Sequence, residues 1–258
     1  MNASASASYG ENQLFADCAK QAHGRLVEIG CKVDEKAKPE DIVVMYFGVK
    51  RRLISRRPRQ VFISKNLHIP VEHQASFREI VGKAETGGDL TVYQSRGSLA
   101  KPDKDDSLLS DWGVQHLHFD TGFKPKKRSG DLVFARIAEG AFYCIDISDH
   151  RGFTRQVMLE VLDSNWPESI APFLLRGDIA GESVTDEQVG NLRAANVNTF
   201  IRLPNGRSYN CIGGGRACSG DNALDIMACT QLFRQCRDAG KAMAKDGFPR
   251  VCYLPTLR

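Results

Sequence analysis

The chain has no CxxC pair, no apolar run approaching the ~20 residues that span a bilayer, and neither a GxxxxGK[ST] nor a GxGxxG segment. These absences argue against the usual zinc pairs, a membrane helix and nucleotide binding by a familiar phosphate loop. The opening residues, MNASASASYGENQ, lack a basic segment followed by an apolar one, so no secretory leader is expected and a cytoplasmic location is. Neither sign of charge is in large excess. The 35 Lys and Arg against 31 Asp and Glu leave a formal +4, too little to make the whole chain polybasic.

With 258 residues, 42% of them hydrophobic and 26% charged, the sequence has globular composition and length for one main domain with a smaller appendage. Its 8 cysteines stand at irregular spacings in a chain large enough to stabilise itself by burial, which points to reduced thiols. Cys211 with Cys218 and Cys229 with Cys236 repeat a gap of 7 that is wide for zinc ligation but close to two helical turns.

Hydrophobic periodicity predicts helices over NQLFADCAKQAHGRLVEIG, PVEHQASFREIVGKAETGG, FTRQVMLEVLDSNWP, SVTDEQVGNLRAANV and NALDIMACTQLFRQCRDAGKAMAKDG. It predicts strands over DIVVMYFGV, RQVFIS, GVQHLHFD, DLVFARIAEG and AFYCIDISDH, and a hairpin around Pro204-Asn205-Gly206. Trp166, in SNWPES, is expected to pack a helix end onto the sheet. The fold class that follows is α+β, an antiparallel sheet with packed helices. Residues 1–12 read as a disordered tail, 13–178 as the main domain, and 182–258 as a helix-hairpin-helix unit that is either a second domain or a completion of the first core.

Positive charge is concentrated in two places. KRRLISRRPR (50–59) includes Arg51 and Arg52, and KPKKRSGD includes Lys126, Lys127 and Arg128. Such clusters bind a polyanion by releasing its counterions, or simply keep a loop solvated. The segment GGGRACSGDN (213–222) joins a strand to a helix and offers backbone N–H groups to a phosphate, although a tight turn before a capped helix is the plainer reading.

The candidate chemistry lies in DWGVQHLHFD (111–120). In a strand, residues i and i+2 share a face, so His116 and His118 stand with Val114 and Asp120, opposite Leu117 and Phe119. With Leu117 and Phe119 toward the core, the histidines are expected on a polar face. His150, in ISDHRGFT beside Arg151, lies near them if the strands are neighbours. Histidines and an arginine suit metal-free RNA transesterification, in which one ring removes the 2′-hydroxyl proton, another protonates the leaving oxygen, and a cation steadies the phosphorane. The same His116, His118 and His150 with Asp120 also suit zinc or another divalent transition metal.

The runs DDSLLSDWGVQHLHF, RSGDLVFARI, YCIDISDH and NWPE resemble an uncharacterised family of bacterial proteins with the pattern Leu-Leu-x-Asp-Trp-Gly-aliphatic-x-His-Leu-His, over roughly residues 40–170. The pattern is specific but implies no activity. The layout of a helix and a small His-bearing sheet is similar to bacterial toxin ribonucleases of the barnase, EndoU and colicin type, a likeness of architecture.

Three functional classes therefore stand. The first is a metal-independent endoribonuclease, a toxin or phage-defence effector acting on RNA, with a protein antitoxin or another protein as candidate partner and no cofactor; His116, His118, His150 and Arg151 are its catalytic candidates, and Lys126, Lys127, Arg128, Arg51 and Arg52 its phosphate contacts. The second is a metal-dependent hydrolase or oxygenase. The third is a non-catalytic protein that binds nucleic acid through its basic turns.

Overall fold

The computed structural model describes residues 3–95, 106–120, 130–177 and 182–246. In chain order the elements are α1 (Ala3–Glu28), α2 (Pro39–Arg52), β1 (Gln60–Ile63), α3 (Gln74–Thr86), α4 (Ser107–Trp112), β2 (Val114–His118), β3 (Asp131–Ile137), β4 (Ala141–Asp149), α5 (Val157–Asn165), α6 (Asp186–Ala194), β5 (Ile201–Arg202), β6 (Ser208–Tyr209) and α7 (Ala223–Asp246). The fold is α+β, with seven helices among the described residues, a mixed four-strand sheet and a two-strand hairpin. Among these residues no helix is long and apolar enough to cross a membrane.

Two compact units share the chain. The described residues up to Leu53 and from Asp221 onward form a helical unit of α1, α2 and α7; those between Ile54 and Gly220 form a unit built on the sheet. Thus α6 and the β5-β6 hairpin belong with the sheet, and α7 belongs with the first two helices.

The helical unit closes around Phe15, Cys18, Ala22, Leu26, Val43, Tyr46, Val49, Leu232 and Cys236. Cys229 and Cys236 are both buried there, as their two-turn spacing on one helix requires. The first helix begins at Ala3 and so covers positions that read as a tail. A larger correction concerns DIVVMYFGV, which is the body of α2 and not a strand. Its β-branched and aromatic residues favour a strand locally, but Pro39 opens a helix, Glu40 and Asp41 face its positive end, and Lys50, Arg51 and Arg52 its negative end. Burial of Val43, Tyr46 and Val49 at three-residue steps then decides the matter.

In the sheet unit the strand order is β1-β4-β3-β2. The pairs β2-β3 and β3-β4 are antiparallel, but β1 lies parallel to β4, so the sheet is mixed and not purely antiparallel. Helix α3 covers one face, where Phe77, Ile80 and Ala84 meet Leu117, Val133, Ala135 and Cys144. On the other face α5 places Met158, Leu159 and Leu162 against Val114, Leu132, Phe134 and Ile145. Trp166 closes this second core beside Tyr143, with ring centroids 5.1 Å apart.

Two loops are held to this core by specific bonds. Gly213 and Gly215 donate their N–H groups to the carbonyls of Asp111 and Ser110 at the end of α4, at 3.2 and 2.8 Å. The backbones approach so closely that a Cβ on Gly213 would lie 1.7 Å from the Leu109 carbonyl oxygen. The glycine-rich segment is therefore a packed turn, and those amides are not offered to a phosphate. The β5-β6 hairpin is anchored on Asp163, which accepts from Asn205 Nδ2 at 2.6 Å, Arg207 Nη1 at 2.8 Å and the Tyr209 hydroxyl. Burial alone raises the Asp163 pKa, but these three bonds outweigh it and hold the carboxyl below the usual carboxylate range. The Tyr209 hydroxyl is pushed up to about 12 by burial and by this carboxylate.

Two outcomes follow. Gly213→Ala is expected to cost at least about 3 kcal/mol in urea denaturation, whereas Gly130→Ala, where a Cβ meets nothing within 4 Å, stays within about 0.5 kcal/mol. A carboxyl whose pKa is depressed by folding adds stability above the unfolded value of about 3.9 and loses it as pH falls through the folded value. Asp163→Asn is accordingly expected to flatten the acid limb of a stability-pH curve below about pH 4.

Candidate active site

The register of β2 against β3 places His116 opposite Phe134 and His118 opposite Leu132. Both histidines therefore project to the α5 side of the sheet, while Leu117 faces α3. This corrects the expected polar face. Both faces of the sheet are covered, His118 is only 5% exposed, and His116 is half-buried.

His150 reaches the same place by a different route. Strand β4 ends at Asp149, whose carboxylate accepts the Arg151 backbone N–H at 2.9 Å and caps a 3-10 turn over His150–Thr154. Gly152 lets this turn lie flat against the sheet, since a Cβ there would stand 2.5 Å from Ser148 Oγ and 3.1 Å from the Phe134 ring. The rings of His116 and His118 are centred 6.0 Å apart, and those of His118 and His150 6.2 Å apart. Phe153 packs edge-on against His116 at 4.9 Å and against His150 at 5.5 Å. Two histidines of β2 and one from the turn after β4 thus lie ring beside ring, Phe153 packing on His116 and His150, with His150 exposed and His118 enclosed.

Beside them a pocket of about 350 Å³ is lined by Asp131, Ser148, Asp149, Arg151, Gly152 and Arg155. Arg151 is bound by Asp149 at 2.8 Å through Nε, yet its side chain remains 91% exposed. Its bonds to Asp149 hold that carboxyl below the usual range and raise its own pKa. Asp131 is gripped from the opposite face by His73, Nε2 to Oδ2 at 3.0 Å, and the His73 ring stacks on Phe119 at 4.1 Å. Sequence reasoning passed over His73. It lies 58 residues from Asp131, just before a helix, and no spacing links the two.

The other candidates stand elsewhere. Arg51 and Arg52 belong to the helical unit; Arg51 is bound by Asp225 at 3.1 Å, and Arg52 is 3% exposed with its Nε on the Gly48 carbonyl. The rest of that basic run is also engaged, Arg56 by Asp89, Arg57 by Glu139, and Arg59 by the carbonyls of Ala138 and Ser55. Each of these arginines is thus engaged within its own unit, Arg56 and Arg57 with their side chains still 69% and 44% exposed. Lys126, Lys127 and Arg128 lie outside the described residues. Among the described residues no three His, Cys, Asp or Glu side chains are placed to hold one metal ion, and Asp120 is exposed beyond the end of β2, so the set His116, His118, Asp120 and His150 is not assembled as a metal centre.

The Asp-Trp-Gly that precedes the histidines has its own function in the structure. Asp111, 9% exposed, accepts from Arg193 Nε at 2.6 Å on one oxygen and from Arg216 Nη1 at 2.9 Å on the other. Arg193 stacks over the Trp112 ring at 4.1 Å, and Gly113, at φ +64°, ends α4 and turns the chain into β2. Comparison with known proteins finds no matching family model, no similar curated protein and no similar solved structure.

Removing Asp111 leaves two buried guanidinium groups without their counter-charge. Asp111→Ala is expected to lose about 3 to 5 kcal/mol in urea denaturation, the usual cost of breaking a buried ion pair from one side.

Proposed function

We propose that this protein is a metal-independent endoribonuclease that uses histidine acid-base chemistry. The observation that carries the reading is the convergence of His116, His118 and His150, with 6.0 and 6.2 Å between neighbouring rings, His150 standing in sequence between Asp149 and Arg151, which line a pocket with Arg155. A phosphodiester seated between two such rings has one nitrogen near the attacking oxygen and another near the leaving oxygen.

One neutral ring takes the 2′-hydroxyl proton as that oxygen attacks phosphorus. The protonated ring then gives its proton to the departing 5′-oxygen as the P–O5′ bond breaks. The products are a 2′,3′-cyclic phosphate and a 5′-hydroxyl, and no outside reactant is consumed. Arg151, exposed and retaining N–H groups beyond those on Asp149, supplies positive charge where the phosphorane forms. His118 is the ring common to both close pairs, and so the one the scheme most depends on.

The test is cleavage of structured RNA in EDTA. Wild-type protein is expected to give cyclic-phosphate ends with a bell-shaped pH-rate profile, and His118→Ala and His150→Ala each to lose 10²- to 10⁴-fold. RNA bound in a salt-dependent manner but left intact points instead to a binding protein, and cleavage only after adding zinc or manganese moves the same residues to ligands.

A further inference from the structure

We infer that helix α6 is the positioning element of the histidine cluster, with Arg193 as the residue through which the buried Asp111 sets the place of His150 and Phe153. The inference rests on the ribonuclease reading for its kinetic consequence, but its geometry stands without it.

The 3-10 turn that carries His150, Arg151 and Phe153 is held to its own strand at its two ends, by the Asp149 cap and by Arg155, which pairs with Asp146 at 3.6 Å. Between and beyond these, polar anchors reach the segment from α6. Arg193, near the end of that helix, donates Nη1 to the Phe153 carbonyl while its Nε is on Asp111. At the start of the helix, the Asp186 carboxylate accepts the Gln156 backbone N–H at 3.1 Å and its Nε2 at 3.0 Å. The same Gln156 Nε2 donates to the Val184 carbonyl at 2.8 Å. Midway between, Gly190 leaves room for Thr154, whose Cγ2 would touch a Cβ there at 3.4 Å. The helix therefore grips the segment 153–156 at both ends and rests on its middle.

Arg193 is suited to this use. Its planar guanidinium directs Nε and Nη1 at fixed angles, and the face not used for hydrogen bonding lies on Trp112. The carboxylate that orients it is two residues before Gly113, where the chain turns into the strand of His116 and His118. One buried charge thus ties the strand of two histidines to the turn of the third. Arg216 binds the same carboxylate through its other oxygen, and provides a control that perturbs the charge without the bond to the turn.

The experiment compares Arg193→Lys, Gln156→Ala and Arg216→Lys with wild type by ¹H-¹³C correlation spectra of the histidine rings and by RNA cleavage kinetics. Arg193→Lys and Gln156→Ala are expected to shift the His150 ring signals and to lower kcat about tenfold or more with KM within twofold, the signature of misplaced catalytic groups. Arg216→Lys is expected to leave the His150 signals in place. Gln156→Ala touches neither Asp111 nor Trp112, and decides the question if Arg193→Lys does not fold. Unchanged His150 signals in Gln156→Ala and in any folded Arg193→Lys overturn the inference, as do equal shifts in Arg216→Lys. If wild type cleaves no RNA, the functional reading fails while the ring spectra still judge the positioning.

Discussion

Asp111 is held between Arg193 and Arg216, and a carboxylate taken out of water this way must keep both partners in place. Those partners come from distant parts of the sheet unit, Arg193 from α6 and Arg216 from the glycine-rich turn, so one anion fixes the separation of three segments. The turn adds its own bonds, with Gly213 and Gly215 on the last carbonyls of α4. Hydrophobic burial drives the two cores on either face of the sheet, but it is nondirectional. The directional interactions around Asp111 orient the entry into β2, and with it the two histidines that β2 carries.

Much of this was legible in the sequence where local and tertiary preferences agree. Strands β1 to β4, helices α3 and α5, and the Pro-Asn-Gly hairpin all stand where periodicity and turn chemistry place them. Helix α2 did not, because Val43, Val44, Tyr46 and Phe47 favour a strand locally and only the packing of α1 and α7 against one side shows the helical period. The parallel pairing of β1 was equally hidden. Strand partners separated by tens of residues leave no local trace, and tight hairpins elsewhere favour an antiparallel expectation.

The site was legible in its residue types but not in its surroundings. A histidine scores as polar, so alternation with Leu117 assigns it to an outer face; the structure lays α5 and Phe153 over that face and encloses His118. The partners of the basic run at 50–59 were hidden for a different reason. Like charges close in sequence look like a patch, but each arginine finds its own carboxylate or carbonyl in the folded chain. Asp111 was read as part of a pattern, and its electrostatic purpose appears only when Arg193, 82 residues later, reaches it.

The helical unit has a consequence for how the molecule comes to be made. Among the described residues, Phe15, Cys18, Tyr46 and Val49 of helices α1 and α2 share one apolar core with Cys229, Leu232 and Cys236 of α7, and α7 begins at Ala223. A ribosome moving along the chain produces the entire sheet unit before it reaches α7. The contacts that complete the helical core are therefore long-range in sequence, and such contacts cost more loop-closure entropy than local ones. The sheet unit bearing the histidines is complete in sequence by Gly220, before the helix that completes the helical core.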